Sequence, residues 1–439
     1  MQTTSSPNLS SLASEAKPDR NRAVDAYRAA AMLAVAIGHW AAISVALDDD
    51  GALVAGNALA DAPQLAWITW ILQVMPLFFV VGGFSSAMSL DAHFRAGGRG
   101  ADWVAARLRR MVAPAVVLGG VWLALIALGT ALGFGGIVVA GAVASAIPLW
   151  FLANYTIDTA IAPYVFPAFR RRPSVVVGGG LVLFAVVETM VLLGVPLVGH
   201  VNWVLGWLLF QVAGFAWRDG LLPSGRHMVA AAAALWGAAV ALVAFGPWPL
   251  AMVHHEGLTH SPTHPPSLAL LVFGAAYSAT AIAAAPAVSR FLARSPRTWM
   301  AVVAGNAISL TVYLWHFTAF VLVAAVAYAA GLLPTADVAT TAWWLQKLPL
   351  MLAALVVLGA ITAVVSGVER RALLAPRTPW KGSDASMLAT AGAISASVKV
   401  WGLGSAPAVV IGAGVLLLIW RGALRPVAEV DIEEVISAA

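Results

Sequence analysis

The sequence predicts an all-α polytopic membrane protein with about ten transmembrane helices and a cytoplasmic N-terminus. Three observations predict it. Of the 439 residues, 61% are hydrophobic and only 10% charged, with a mean hydropathy of +0.87. Apolar runs long enough to cross a bilayer recur along most of the chain. The loops between them alternate between basic and non-basic.

Composition comes first because it excludes classes. Soluble globular domains do not have this balance of apolar and charged residues. An isoelectric point near 9.8 suits a nucleic-acid binder, but the basic residues are scattered between apolar runs and form no single patch. Cysteine is absent, which excludes disulfides, thiolate metal sites and a cysteine nucleophile. Residues 1–19 are Ser-rich and polar, and a disordered cytoplasmic tail is expected there.

The spans follow in order. Apolar segments run at about 24–47, 64–90, 104–132, 147–168, 174–195, 201–217, 228–247, 267–289, 299–331 and 343–368. Lys17, Arg20 and Arg22 precede the first. The next loop holds Asp48, Asp49, Asp50 and Asp61 without a basic residue. Arg95, Arg99, Arg107, Arg109 and Arg110 follow, then an uncharged loop, then Arg170, Arg171 and Arg172. The alternation continues through Arg218 and Arg226, Arg290 to Arg297, and Arg370 to Lys381. Every second loop is basic, so the N-terminus and the segment after the tenth span are assigned to the cytoplasm. The domain reading is a tail over 1–19, a membrane domain over 20–371 and a C-terminal segment over 372–439. Within that segment, 387–420 is apolar but rich in Gly, Ala and Ser, and it includes Lys399. One added helix would put Arg421 and Arg425 outside, against the rule. A re-entrant stretch is the competing reading. The last residues form an acidic tail.

The first span carries the chemistry-bearing residues. Asp25, Arg28 and His39 lie in or beside an apolar run, where ionisable groups are costly and are functional candidates by default. Arg28 and His39 are eleven residues apart, about three turns at ~3.6 residues per turn, so they share a helix face. Asp25 falls within roughly 40° of that face. The stripe places a carboxylate and a guanidinium at the cytoplasmic boundary. The imidazole lies ~16 Å further along, at ~1.5 Å per residue. Such a stripe is expected to face protein or a water-filled cavity.

Five motifs in order then carry a family resemblance. D-A-Y-R with a histidine fourteen residues after the Asp opens the first helix. P-L-F-F-V-V-G-G-F (76–84), A-R-L-R-R-M-V-A-P (106–114), P-L-W-F-L (148–152) and S-L-T-V-Y-L-W-H (309–316) follow. Over about 20–370 the chain resembles the integral-membrane acyltransferase-3 family. The second-helix motif departs at Gly82, where the family usually has Ser; Ser85 or Ser86 are the available replacements. The resemblance implies transfer of an acyl group, often acetyl, from cytoplasmic acyl-CoA to an extracytoplasmic hydroxyl. The acceptor is commonly a sugar, cell-envelope glycan or metabolite, and the membrane is expected to be a bacterial plasma membrane. Acyl-CoA is a co-substrate, and no tightly bound cofactor is implied.

That chemistry sets the roles. A hydroxyl is a poor nucleophile at neutral pH and needs a base within hydrogen-bond reach. His39 is the candidate, either as general base or as carrier of the acyl group, with Asp25 as its companion in the catalytic set. A packing histidine is the plain alternative. Arg28 suits the donor's phosphates, helped by Arg107, Arg109 and Arg110. Ion pairing with Asp25 and topology anchoring are the other readings of these cations. The oxyanion needs donors. Trp150, Asn154, Asn202, Trp203 and His316 are candidates, and Asp158 and Glu188 are intramembrane carboxylates suited to an acceptor pocket. The loop H-H-E-G-L-T-H-S-P-T-H (254–264) does not match H-E-x-x-H, so no metal is expected there, and acceptor contacts or a plain polar loop remain. Phe78 and Phe79 read as packing, and Gly82 and Gly83 as a close helix approach. A polar-metabolite transporter would also need intramembrane Arg, Asp and His, and stands as the runner-up function. A non-catalytic membrane partner is the third.

Overall fold

A computed structural model of the chain describes residues 21–47, 53–374, 379–403 and 405–424. The expected tail over 1–19, Asp48 to Asp50, Arg377, Arg425 and the acidic end lie outside the described residues. The helices are α1 (Arg22–Ala42), α2 (Met75–Arg95), α3 (Gly100–Ala131), α4 (Gly135–Ala146), α5 (Leu149–Arg171), α6 (Pro173–Leu192) and α7 (Gly199–Arg218). Then come α8 (Arg226–Phe245), α9 (Leu268–Arg294), α10 (Pro296–Ala329), α11 (Thr341–Leu374), α12 (Asp384–Trp401) and α13 (Ala406–Ile419). Among the described residues, 8 helical stretches are long and apolar enough to cross a membrane, or up to 9 if the bent pair α4–α5 is one span. The protein is an all-α polytopic membrane protein. Neither α1 nor α7 belongs to that apolar set. Both are laden with polar groups, Arg22, Asp25, Arg28 and His39 on one, His200, Asn202, Gln211 and Arg218 on the other.

Three boundaries differ from the sequence expectation. The first apolar run is not one helix to Leu47. It ends at Ala42 and continues as strand β1 (Ile43–Leu47), paired antiparallel with β2 (Leu53–Asn57) in the register Ile43↔Asn57 to Leu47↔Leu53. β-branched Ile43 and Val45 favour the extended form once the helix is capped. The uncharged stretch before the fourth span contains α4, separated from α5 by a 40° bend near Pro148. Beyond α11 the chain forms two helices rather than one, α12 and α13, the second continuing in a π-helical turn over Trp420–Leu424.

The chain divides into two compact units: the described residues up to Ala92 with Tyr164–Thr362, and His93–Pro163 with the described residues from Ala363 onward. In the first unit α1 starts from Asn21, whose side chain accepts from the amides of Ala23 and Val24, with Asp25 in the first turn where a carboxylate suits the helix dipole. Arg22 lies 5.2 Å over the Trp299 ring, Ala29 faces Gly305, and His39 meets His316. Rising numbers on α1 meet rising numbers on α10, so these two helices run parallel. Both are odd-numbered spans in the charge alternation, and the packing agrees with that parity. Helices in lipid gain little from hydrophobic burial against each other, so close backbone approach and hydrogen bonds carry the association. At Gly83 on α2 a Cβ would overlap the Gln211 carbonyl of α7, and at Gly214 it would overlap the Val80 carbonyl. Gly83 has the role expected of it.

In the second unit α3 packs on the α12–α13 hairpin. Gly412 sits against the backbone of Ser397 and Trp401, and Gly119 faces Trp401 and Ala413. Asp102 accepts from the Trp380 amide at 2.6 Å, and Arg99 donates to the carbonyls of Trp380 and Gly382.

Candidate functional site

The sequence-predicted residues resolve into two clusters on α1 and several separate positions. At the start of α1, Arg28 donates to the Ser85 hydroxyl at 2.5 Å and stands 3.7 Å from Asp25. Ser85 in turn donates to the Val81 carbonyl at 3.0 Å. Asn306 donates to the Asp25 backbone carbonyl at 2.9 Å, tying this end of α1 to α10. Asp25 is 8% exposed by side chain and Arg28 29%, so the guanidinium is the group open to a ligand. The Ser85 hydroxyl lies where Arg28 can use it, while Ser86 is buried.

At the other end, His39 and His316 face each other with Nδ1 and Nε2 at 2.8 Å, ring planes 17° apart. His316 is wholly buried. Its Nδ1 lies 2.6 Å from the Tyr313 carbonyl, and its own carbonyl accepts from Trp40 Nε1 at 2.9 Å. Phe317 flanks both rings, with centroids at 5.1 and 4.9 Å. Two α10 residues therefore fix the last turn of α1. A third helix completes the arrangement. Lys347 of α11, buried, donates to the carbonyls of Ala41 at 2.9 Å and of Ile43, and its Nζ is 4.0 Å from the Trp343 ring centroid. A cation on the free carbonyls of a helix end satisfies groups that have no intrahelical partner.

Lys347 was not foreseen, nor Asn306 and Tyr313. Lys347 lies beside the W-W pair at 343–344, which reads as an interface anchor. A lysine inside an apolar run satisfies the same criterion that marks Asp25, Arg28 and His39, and that criterion would have found it.

The other unit-one candidates make contacts of their own. Asn202 is buried and donates to the Phe184 carbonyl at 3.2 Å. Glu188 accepts from Trp248 at 3.2 Å and from the Leu268 amide at 3.1 Å, so it holds the 246–267 loop to the N-terminus of α9. In that loop the His254 and His264 rings are 5.3 Å apart, and burial followed by the neighbouring His255 pushes the His254 imidazole below its ordinary range. Arg170 and Arg218 form a four-charge network with Asp91 and Asp219, with pair distances of 2.5 to 3.5 Å. This network anchors α2, α5 and α7.

The second unit holds the rest. Arg107 lies 4.2 Å over the Trp103 ring, Arg109 is buried with Nε donating to the Leu424 carbonyl at 2.9 Å, and Arg110 is exposed. Trp150 stands edge-on to Phe151, and Asn154 and Asp158 are buried in α5.

α1 therefore carries an open guanidinium near its start and, near its end, an imidazole paired with His316 of α10. A family model described as "Acyltransferase domain" matches residues 21–367, and the chain belongs to the acyltransferase-3 family. It is a membrane acyltransferase. Comparison with curated proteins and with solved structures gives no significant match.

Proposed function

We propose that the protein moves an acyl group, acetyl in the first instance, from cytoplasmic acyl-CoA to a hydroxyl of an extracytoplasmic carbohydrate, cell-envelope glycan or metabolite. The setting is a bacterial plasma membrane. The observation that supports this most is the layout of α1. An accessible guanidinium stands at one end and a paired imidazole at the other, eleven residues or ~16 Å apart at ~1.5 Å per residue. A phosphate group of the donor is held at Arg28, a bidentate fork suited to it. The thin thioester-bearing arm then runs along α1 toward His39. There the acceptor hydroxyl gives its proton to the imidazole as its oxygen attacks the thioester carbon. The C–O bond forms, the C–S bond breaks, and the thiolate leaves with that proton. Asp25 positions Arg28. Within the second unit, Arg107 and Arg110 on α3 are proposed as phosphate-binding cations in their own right, and Arg109 as a structural one. Asn202 with Glu188, and separately Trp150 and Asn154, are proposed contacts for the acceptor or the oxyanion.

The test is CoA release and label transfer from radiolabelled acetyl-CoA in inside-out membrane vesicles, comparing wild type with His39→Ala at equal insertion. Release by wild type and its loss in the variant supports the reading. Equal release by both removes His39 from the centre of the reaction. No release by wild type, across donor lengths and hydroxyl acceptors, refutes acyl transfer from CoA.

A further inference from the structure

We infer that His316 is a positioning residue that selects the reacting nitrogen of His39: it keeps the His39 proton on Nδ1 and leaves Nε2 as the basic atom. This rests on the reading of His39 as the base in acyl transfer.

The argument runs along one chain of hydrogen bonds. The Tyr313 carbonyl can only accept, so the 2.6 Å contact requires the His316 proton on Nδ1. A neutral His316 then carries its lone pair on Nε2. That lone pair points at His39 Nδ1, 2.8 Å away, so His39 must donate there. A neutral His39 protonated on Nδ1 has its lone pair on Nε2. Proton positions are thus assigned from the acceptor at the far end of the chain, which has no freedom to reverse.

The surroundings hold this direction. His316 is wholly buried, and its own carbonyl is engaged by Trp40. Both imidazoles are flanked by Phe317. The orienting group is a neutral ring rather than a carboxylate. In an apolar setting this is the less costly choice, because an ionised carboxylate would need its own compensation. During the reaction, Nε2 takes the hydroxyl proton while the Nδ1 proton stays shared with His316. The imidazolium charge is spread over two rings, and Nε2 hands the same proton to the departing thiolate. Fixing the tautomer through the other ring nitrogen is the role a hydrogen-bonded partner has at other histidine sites.

Two measurements test it. The first compares His316→Phe with His316→Gln by CoA release over an acyl-CoA series. Gln places an acceptor oxygen near the position of Nε2, and Phe does not. The inference expects the Phe variant to lose about 100-fold in kcat with KM nearly unchanged, and the Gln variant to recover most of that loss. A Phe variant with wild-type kcat overturns the inference. So does a folded Gln variant as slow as the Phe variant. The second measurement needs no substrate: 15N spectra of histidine-labelled wild-type protein, with the His39 signals assigned by their loss in His39→Ala. The inference expects the Nδ1–H tautomer at His39, and a dominant Nε2–H tautomer overturns it. Absence of turnover by wild type would defeat the acyl-transfer reading while leaving the tautomer result to stand or fall by itself.

Discussion

At one end of α1, Arg28 keeps part of its surface open and rests on a serine hydroxyl and a long ion pair to Asp25. At the other end, His39 is tied to a wholly buried ring, and the last turn is clamped by Trp40, His316 and Lys347. The first arrangement is open and charged; the second is enclosed and built from rings and backbone carbonyls. On the proposed reading, the contrast separates a donor-binding end of α1 from a proton-handling end. Unit two offers a useful contrast within the arginines. Arg109 is buried and its Nε donates to the Leu424 carbonyl at the end of the π-helical turn, a structural contact that Arg28 does not make.

The comparison breaks most sharply at His39. His39→Gln is expected to lower kcat by about 10³-fold with little change in KM for acyl-CoA, measured by CoA release. A change confined to KM would mean that both ends of α1 bind donor. Next in size is Lys347→Met, which strips two carbonyls at the His39 end of a buried charged donor. It is expected to cost about 2–3 kcal/mol of stability in detergent unfolding. Little loss would mean that the His39 end is not clamped as described. Arg28→Lys keeps the charge but loses the fork, and is expected to raise KM about tenfold while kcat holds. The smallest effect belongs to Asn306→Leu. It removes the tie between α10 and the Asp25 carbonyl and is expected to cost about 1 kcal/mol, with kcat unchanged.

The class of fold was legible because bilayers impose it: apolar length and alternating basic loops are direct physical requirements. Asp25, Arg28 and His39 were legible for the same reason, as costly groups in an apolar run. The partner of His39 was not legible. His316 is 277 positions away, and no local pattern says which α1 residue it will meet. Lys347 was masked by its neighbours, two tryptophans that fit an interface belt. The early end of α1 was masked too, because Ile43–Leu47 is as apolar as the helix before it, and the capping lysine comes from α11. Tertiary contacts decided these points.

The central claim is that the two ends of α1 serve substrates on opposite faces of the membrane. The most direct test is to offer acyl-CoA to one face at a time, in sealed inside-out and right-side-out vesicles, and to follow CoA release. The account predicts release only when the donor is presented to the cytoplasmic face, to which the loop-charge alternation assigns Arg28, with label appearing on a hydroxyl acceptor enclosed on the other side. Release from donor offered only to the His39 face, or equally from both faces, would contradict it.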